Sequence, residues 1–182
     1  MEGQMLRKFS PKKRLWWHSL VVASLLITSL NACTTPPEEV DVPFETVERA
    51  EITPDTGILY EAWEPGLSVI TDSGEADNLF SIQSQQMLQS ADYNKFFFVA
   101  VFQGLKGSNG YGVEIENISR VKDTLRLEAQ FIAPPPYSFV AEIVTSPYHL
   151  VRIYKDADWG RTIIFNLVVS ETTVVSTTHH IP

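Results

Sequence analysis

Side chains able to do chemistry are sparse in this sequence. His149 is the one histidine between residues 56 and 170, and a serine nucleophile would need it beside Ser146 and an acid delivered by the fold. No G-x-S-x-G elbow, H-E-x-x-H helix, Walker loop or G-x-G-x-x-G turn accompanies it. His149 therefore reads as a strand histidine beside Pro147 and Tyr148, and no catalytic residue is assigned. His179 and His180 stand together in a Thr-rich segment, where two adjacent imidazoles hold a transition metal only if further ligands join them. Asp156 and Asp158 lack the loop length and the closing bidentate Glu of a calcium site. Acids are too abundant for any one carboxylate pair to be diagnostic of glycoside cleavage. The expectation is a chain without cofactor or metal, and not an enzyme.

The residues that remain suggestive belong to loops, which strands must hold in place. Leu125, Leu127, Ala129 and Phe131 alternate with Thr124, Arg126, Glu128 and Gln130, which is the pattern of a half-buried strand. Tyr111, Val113 and Ile115 alternate with Gly112, Glu114 and Glu116 in the same way. Residues 96–102, Phe-Phe-Phe-Val-Ala-Val-Phe, are apolar on both faces and predict a central strand covered on each side. Further strands are expected over 67–71, 139–144, 149–154 and 162–169, with one short helix within 78–90. Turns at Asn109-Gly110, at Pro134-Pro135-Pro136 and over 156–160 complete a mainly β fold, an antiparallel β-sandwich or barrel. Between two of its strands runs Gly104-Leu105-Lys106-Gly107-Ser108-Asn109-Gly110-Tyr111. Its glycines permit irregular backbone, but no helix follows to help cradle a phosphate.

Charge and the single cysteine define the flanks. The chain carries 14 Lys and Arg against 22 Asp and Glu, a formal charge of −8, which argues against nucleic acid as a partner. Residues 1–32 hold Arg7, Lys8, Lys12, Lys13 and Arg14 with only Glu2 opposing them. A mostly apolar stretch over 15–30 follows, interrupted by His18, Ser19, Ser24, Thr28 and Ser29. This is the order of a secretory signal peptide, and the stretch is short for a bilayer span. Its exit, Leu30-Asn31-Ala32-Cys33, resembles the lipobox of bacterial lipoproteins, which implies acylation of Cys33 and membrane attachment on the extracytoplasmic side. Thr34 after the cysteine suggests the outer membrane in a two-membrane cell. The expected organisation is a signal peptide over 1–32, an acidic Pro-containing tether over 33–55, a β-rich domain over 56–170 and a flexible tail over 171–182.

From Tyr93 to Tyr154 the chain resembles the C-terminal domain family of protease-complex subunit PrcB. The resemblance rests on Phe97-Phe98-Val99-Ala100-Val101-Phe102 with Gly104, on Asn109-Gly110-Tyr111-Gly112-Val113-Glu114-Ile115, on residues 125–129, and on Val144-Thr145-Ser146-Pro147-Tyr148-His149. Asn109 stands where the family commonly has a glycine. The resemblance implies a noncatalytic accessory or stabilising role beside an exported protease or another envelope complex. The alternative is a loop-based protease inhibitor of a chagasin-like kind. In either case Gly107, Asn109, Gly110, Tyr111, Pro147 and Tyr148 are the expected partner-binding residues. For the two tyrosines, burial as core plugs stands beside exposure at an interface, because Tyr111 is in phase with Val113 and Ile115.

Overall fold

The computed structural model describes residues 37–76, 80–155 and 159–182. The expected signal peptide, Cys33, Thr34, Asp156 and Asp158 lie outside the described residues. Two sheets face each other. One has the order β1 (Val40–Asp41), β5 (Gly112–Val121), β6 (Thr124–Ile132), β8 (Arg161–Val169), β9 (Thr172–Ile181). The other has the order β2 (Phe44–Ile52), β7 (Ser146–Tyr154), β4 (Phe96–Phe102), β3 (Gly66–Ile70). All pairings are antiparallel except β6 with β8, which run parallel. The fold is a sandwich and not a closed barrel.

The doubly apolar strand is where its composition puts it. β4 lies inside its sheet between β7 and β3 and serves two cores at once. Phe97, Val99 and Val101 point between the sheets, meeting Val113, Leu127 and Phe165. Phe98, Ala100 and Phe102 point outward, beneath a third layer that supplies Phe80 and Leu88. That layer contains the short helix α1 (Ile82–Gln89), whose N-cap Ser81 side chain accepts the Ser84 N–H. The strands of the opposite sheet bury one face only, as their alternation requires: Leu125, Leu127 and Ala129 on β6, and Ile163, Phe165 and Leu167 on β8. On β5 the buried set runs Val113, Ile115, Ile118. The phase changes because the pairing shifts between Ile115 and Asn117, a bulge that adds Glu116.

Three expectations need correction. Residues 40–52 are not tether but β1 and β2, with Ile52 buried and Phe44, Val47 and Ala50 packed on the cores. Their charges mislead because partners distant in sequence take them up: Arg152 binds Glu45, Glu114 binds Arg49, and Glu48 receives three hydroxyls. Residues 172–181 are not a tail but β9, joined to β8 by Ser170 and Glu171 with φ of 49° and 64°. Two such positive angles make a type I′ hairpin turn, which usually announces itself with Asn-Gly. Finally, residues 139–144 form no strand; they belong to an irregular segment between β6 and β7.

Two histidines clasp the sheets together. On β7, His149 is fully buried, and its Nδ1 accepts the backbone N–H of Ile115 on β5 at 2.8 Å. Its Nε2 therefore carries the proton and donates to Thr46 Oγ1 at 2.9 Å. At the other side, His179 on β9 reaches Thr71 Oγ1 at 3.2 Å and Glu75 at 3.3 Å, beyond the end of β3.

Candidate interaction surface

One end of the sandwich is built from two loops that brace each other. In the loop over 103–111, Gly104 has φ +86°, and a Cβ there would stand 2.2 Å from the Trp63 carbonyl, so only glycine lets the segments meet. Leu105 N–H donates to Ala62 O at 2.8 Å, while Lys106 and Thr145 exchange backbone hydrogen bonds of 2.9 Å each. Thr145 Oγ1 donates to Ser108 O at 3.1 Å. Asn109 N–H donates to Ala141 O at 3.1 Å, and Asn109 Oδ1 accepts the Ala141 N–H at 2.9 Å. That bond needs a side chain, which gives Asn109 a use that a glycine would not have. The Lys106 ammonium lies 5.7 Å from the centre of the Tyr111 ring, and its partial burial pushes its pKa down.

The second loop carries the apolar load. After Pro134-Pro135-Pro136, which cannot donate to a ladder, Ser138 closes a turn by donating its N–H and hydroxyl to Pro135 O at 3.1 and 2.7 Å. Tyr137 sits within this turn at φ 65°, a left-handed conformation that costs a non-glycine residue about 1 kcal/mol. Its ring is wholly exposed, at 102%, and so is that of Phe139, at 107%. Val140 and Val144 are also exposed, and Trp63, at 67%, flanks Gly104. The arrangement presents apolar side chains on a backbone tied down by Asn109, Thr145 and Ser138. What the arrangement offers is area for a partner to cover.

The expected binding residues divide. Gly107, Asn109 and Gly110 are exposed in this surface, and Tyr111 is half-buried beside it. Pro147 and Tyr148 are a correction, for both are buried. The Tyr148 ring packs against Phe80 and Phe102 at 5.7 and 5.8 Å, and its hydroxyl donates to the Glu48 carboxylate, which Ser81 and Ser84 also bind. Burial, reinforced by that bond to Glu48, pushes the Tyr148 phenol up to about 12. Ser146 and His149 stand an odd number of residues apart on β7 and so point to opposite faces. No Ser-His pair forms: Ser146 Oγ accepts the Tyr60 N–H instead, at 3.3 Å. His179 and His180 diverge likewise, and among the described residues no three metal-ligating groups gather.

Sequence reasoning missed Trp63, Tyr137 and Phe139. The signal was present as Pro-Pro-Pro-Tyr-Ser-Phe-Val, an apolar run that begins where a strand cannot. Beyond the far end of β5, a cavity of about 430 Å³ is lined by Val42, Pro43, Arg120, Tyr154, Trp159 and Arg161, with the Arg120 guanidinium 4.4 Å from the Trp159 ring centre.

With both loops placed, the comparison with known families becomes specific. Residues 97–154 match the PrcB C-terminal family model, so this segment is PrcB-like. The match covers about a third of the chain. No curated protein and no solved structure matches it. The PrcB-like segment takes β4 and β7 from one sheet and β5 and β6 from the other, and it contains the two mutually braced loops whole. Trp63, β8 and β9 lie outside it.

Proposed function

We propose that this chain is a lipid-anchored extracytoplasmic protein-interaction module, an accessory or stabilising subunit of an exported protease or another envelope complex. The observation that carries the reading is the pair of fully exposed rings, Tyr137 and Phe139, on a braced loop of the PrcB-like segment. The PrcB C-terminal family is associated with protease complexes in an accessory capacity, which supports a partner of that kind. A phenylalanine ring yields roughly 2 kcal/mol when it leaves water, and this loop holds that gain in reserve for a partner. Cys33, acylated after removal of residues 1–32, supplies the membrane attachment. β1 begins at Val40, seven residues beyond Cys33, and a chain of that length reaches at most about 25 Å. The domain is thus held close to the lipid, on the outer membrane where a cell has two.

Capture from envelope extract tests the surface, with the full chain and its Tyr137→Ala/Phe139→Ala double variant as baits. The double variant should melt at the same temperature and capture its partner about tenfold less well, a loss of about 1.4 kcal/mol. Undiminished capture removes this loop as the docking surface. Adding the chain to the captured protease then separates accessory from inhibitor: preserved or raised proteolysis supports the accessory role, and suppressed proteolysis supports the chagasin-like alternative.

A further inference from the structure

Four strands border the two sheets, and three of them are guarded against pairing with another chain. β1 is two residues long and is followed by Pro43. β2 carries Glu45, Glu48, Arg49 and Glu51 and a pairing shift between Thr46 and Glu48. β3 is five residues long and runs into the acidic turn at Asp72 and Glu75. Short length, charge, proline and bulges are the usual protections of a sheet edge.

β9 differs. Its ten residues, Thr-Thr-Val-Val-Ser-Thr-Thr-His-His-Ile, include no Lys, Arg, Asp, Glu or Pro. Among the described residues its ladder partner is β8 alone, so its outer row of N–H and C=O groups is open. The pairing with β8 is irregular only near the turn, where Val174 is the extra residue between Thr173 and Val175. From Val175 to Ile181 the ladder is regular, and Pro182 ends it.

We propose that β9 pairs antiparallel with β9 of a second copy of this chain, about a two-fold axis through Thr178, joining two five-stranded sheets into one. Thr178 is the middle residue of the regular run. The register that centres on it places Val175 opposite Ile181, Ser176 opposite His180 and Thr177 opposite His179. Each pair matches in polarity, apolar with apolar or hydroxyl with imidazole, and no charge meets its own sign. That matters in a chain of formal charge −8, whose copies otherwise repel. An isologous contact of this kind closes at two subunits and leaves no further edge of the same type.

Cysteine cross-linking of the full chain in its own membranes tests the pairing and its register. Directly opposed residues in an antiparallel pair have Cα atoms about 4.5 to 5.5 Å apart, within the span of a disulfide. Thr178→Cys should therefore give a species of twice the chain mass under mild oxidation, beyond any background that Cys33 gives in the parent chain. Ser176→Cys faces His180 of the second copy, roughly 14 Å from its own counterpart, and should not cross-link. Adding Ser176→Lys and His180→Lys, both on the exposed face, to Thr178→Cys should cut the cross-link at least tenfold without changing the melting temperature. A Thr178→Cys chain that melts normally and stays monomeric overturns the proposal. So does equal cross-linking at Ser176→Cys. A cross-link to a species of any other mass also overturns it, assigning the edge to an extended segment of another protein.

Discussion

His149 Nδ1 accepts the N–H of Ile115 at 2.8 Å, so one imidazole joins β7 of one sheet to β5 of the other at the residue where β5 bulges. β1 covers β5 only at Ser119 and Arg120, and the histidine gives the Ile115 N–H its partner. Burial, and secondarily the charge of Arg49, push His149 down to about 4 from an ordinary 6.5, against the opposing influence of Glu114. Between those two values the unfolded chain binds a proton that the folded one refuses. Stability is accordingly full above about pH 6.5 and is lost as pH falls toward 4, by on the order of 3 kcal/mol. Urea melts from pH 4 to 7.5 check this, and His149→Gln should flatten the slope; a slope unchanged by the substitution places the titrating group elsewhere.

Tyr148→Phe keeps the ring between Phe80 and Phe102 and removes only the hydroxyl that Glu48 accepts. A hydrogen bond to a charged acceptor contributes about 2 kcal/mol, so thermal melting should fall by roughly 5 °C. Partner capture at a temperature where the variant is folded should be unchanged. Reduced capture by a fully folded variant would return Tyr148 to the interface.

Val99 is fully buried between the sheets on β4. Val99→Asp leaves an unpaired carboxylate there, costing several kcal/mol against a total of about 5 to 15. Circular dichroism at 25 °C should show loss of the folded signal. Retention of the wild-type melting temperature would contradict the two-sided burial of this strand.

Cys33→Ser removes the thiol that acylation needs, and the variant should shift from the membrane fraction to the soluble extracytoplasmic fraction. Persistence in the membrane after alkaline wash would instead mark the apolar stretch over 15–30 as a retained span.

Much of the fold was legible because period and composition are local properties. β4 and β6 announce themselves, one by an apolar run without alternation and the other by strict alternation, since burial on two faces or on one acts residue by residue along a strand. β2 and β9 were not legible. The acids of β2 look like solvated tether until Arg152 and the hydroxyls around Glu48 arrive from elsewhere in the chain, while β2's own Arg49 meets Glu114 of β5. The turn before β9 has Ser170 and Glu171 where a hairpin usually has asparagine and glycine, and only the pairing with β8 holds them at positive φ.

The same division runs through the interaction surface. The sequence by itself determined a mainly β body with a glycine-rich loop, because these follow from residue type and spacing. Only the tertiary structure decided which aromatics face water. Tyr148 and Tyr137 both stand near prolines, yet one is sealed beneath Phe80 while the other is bare. Exposure depends on what other segments cover a side chain, and α1 and β2 lie far from Tyr148 in sequence. Among the described residues nothing comes to lie over the turn that three prolines and Asn109 hold out from the end of the sandwich.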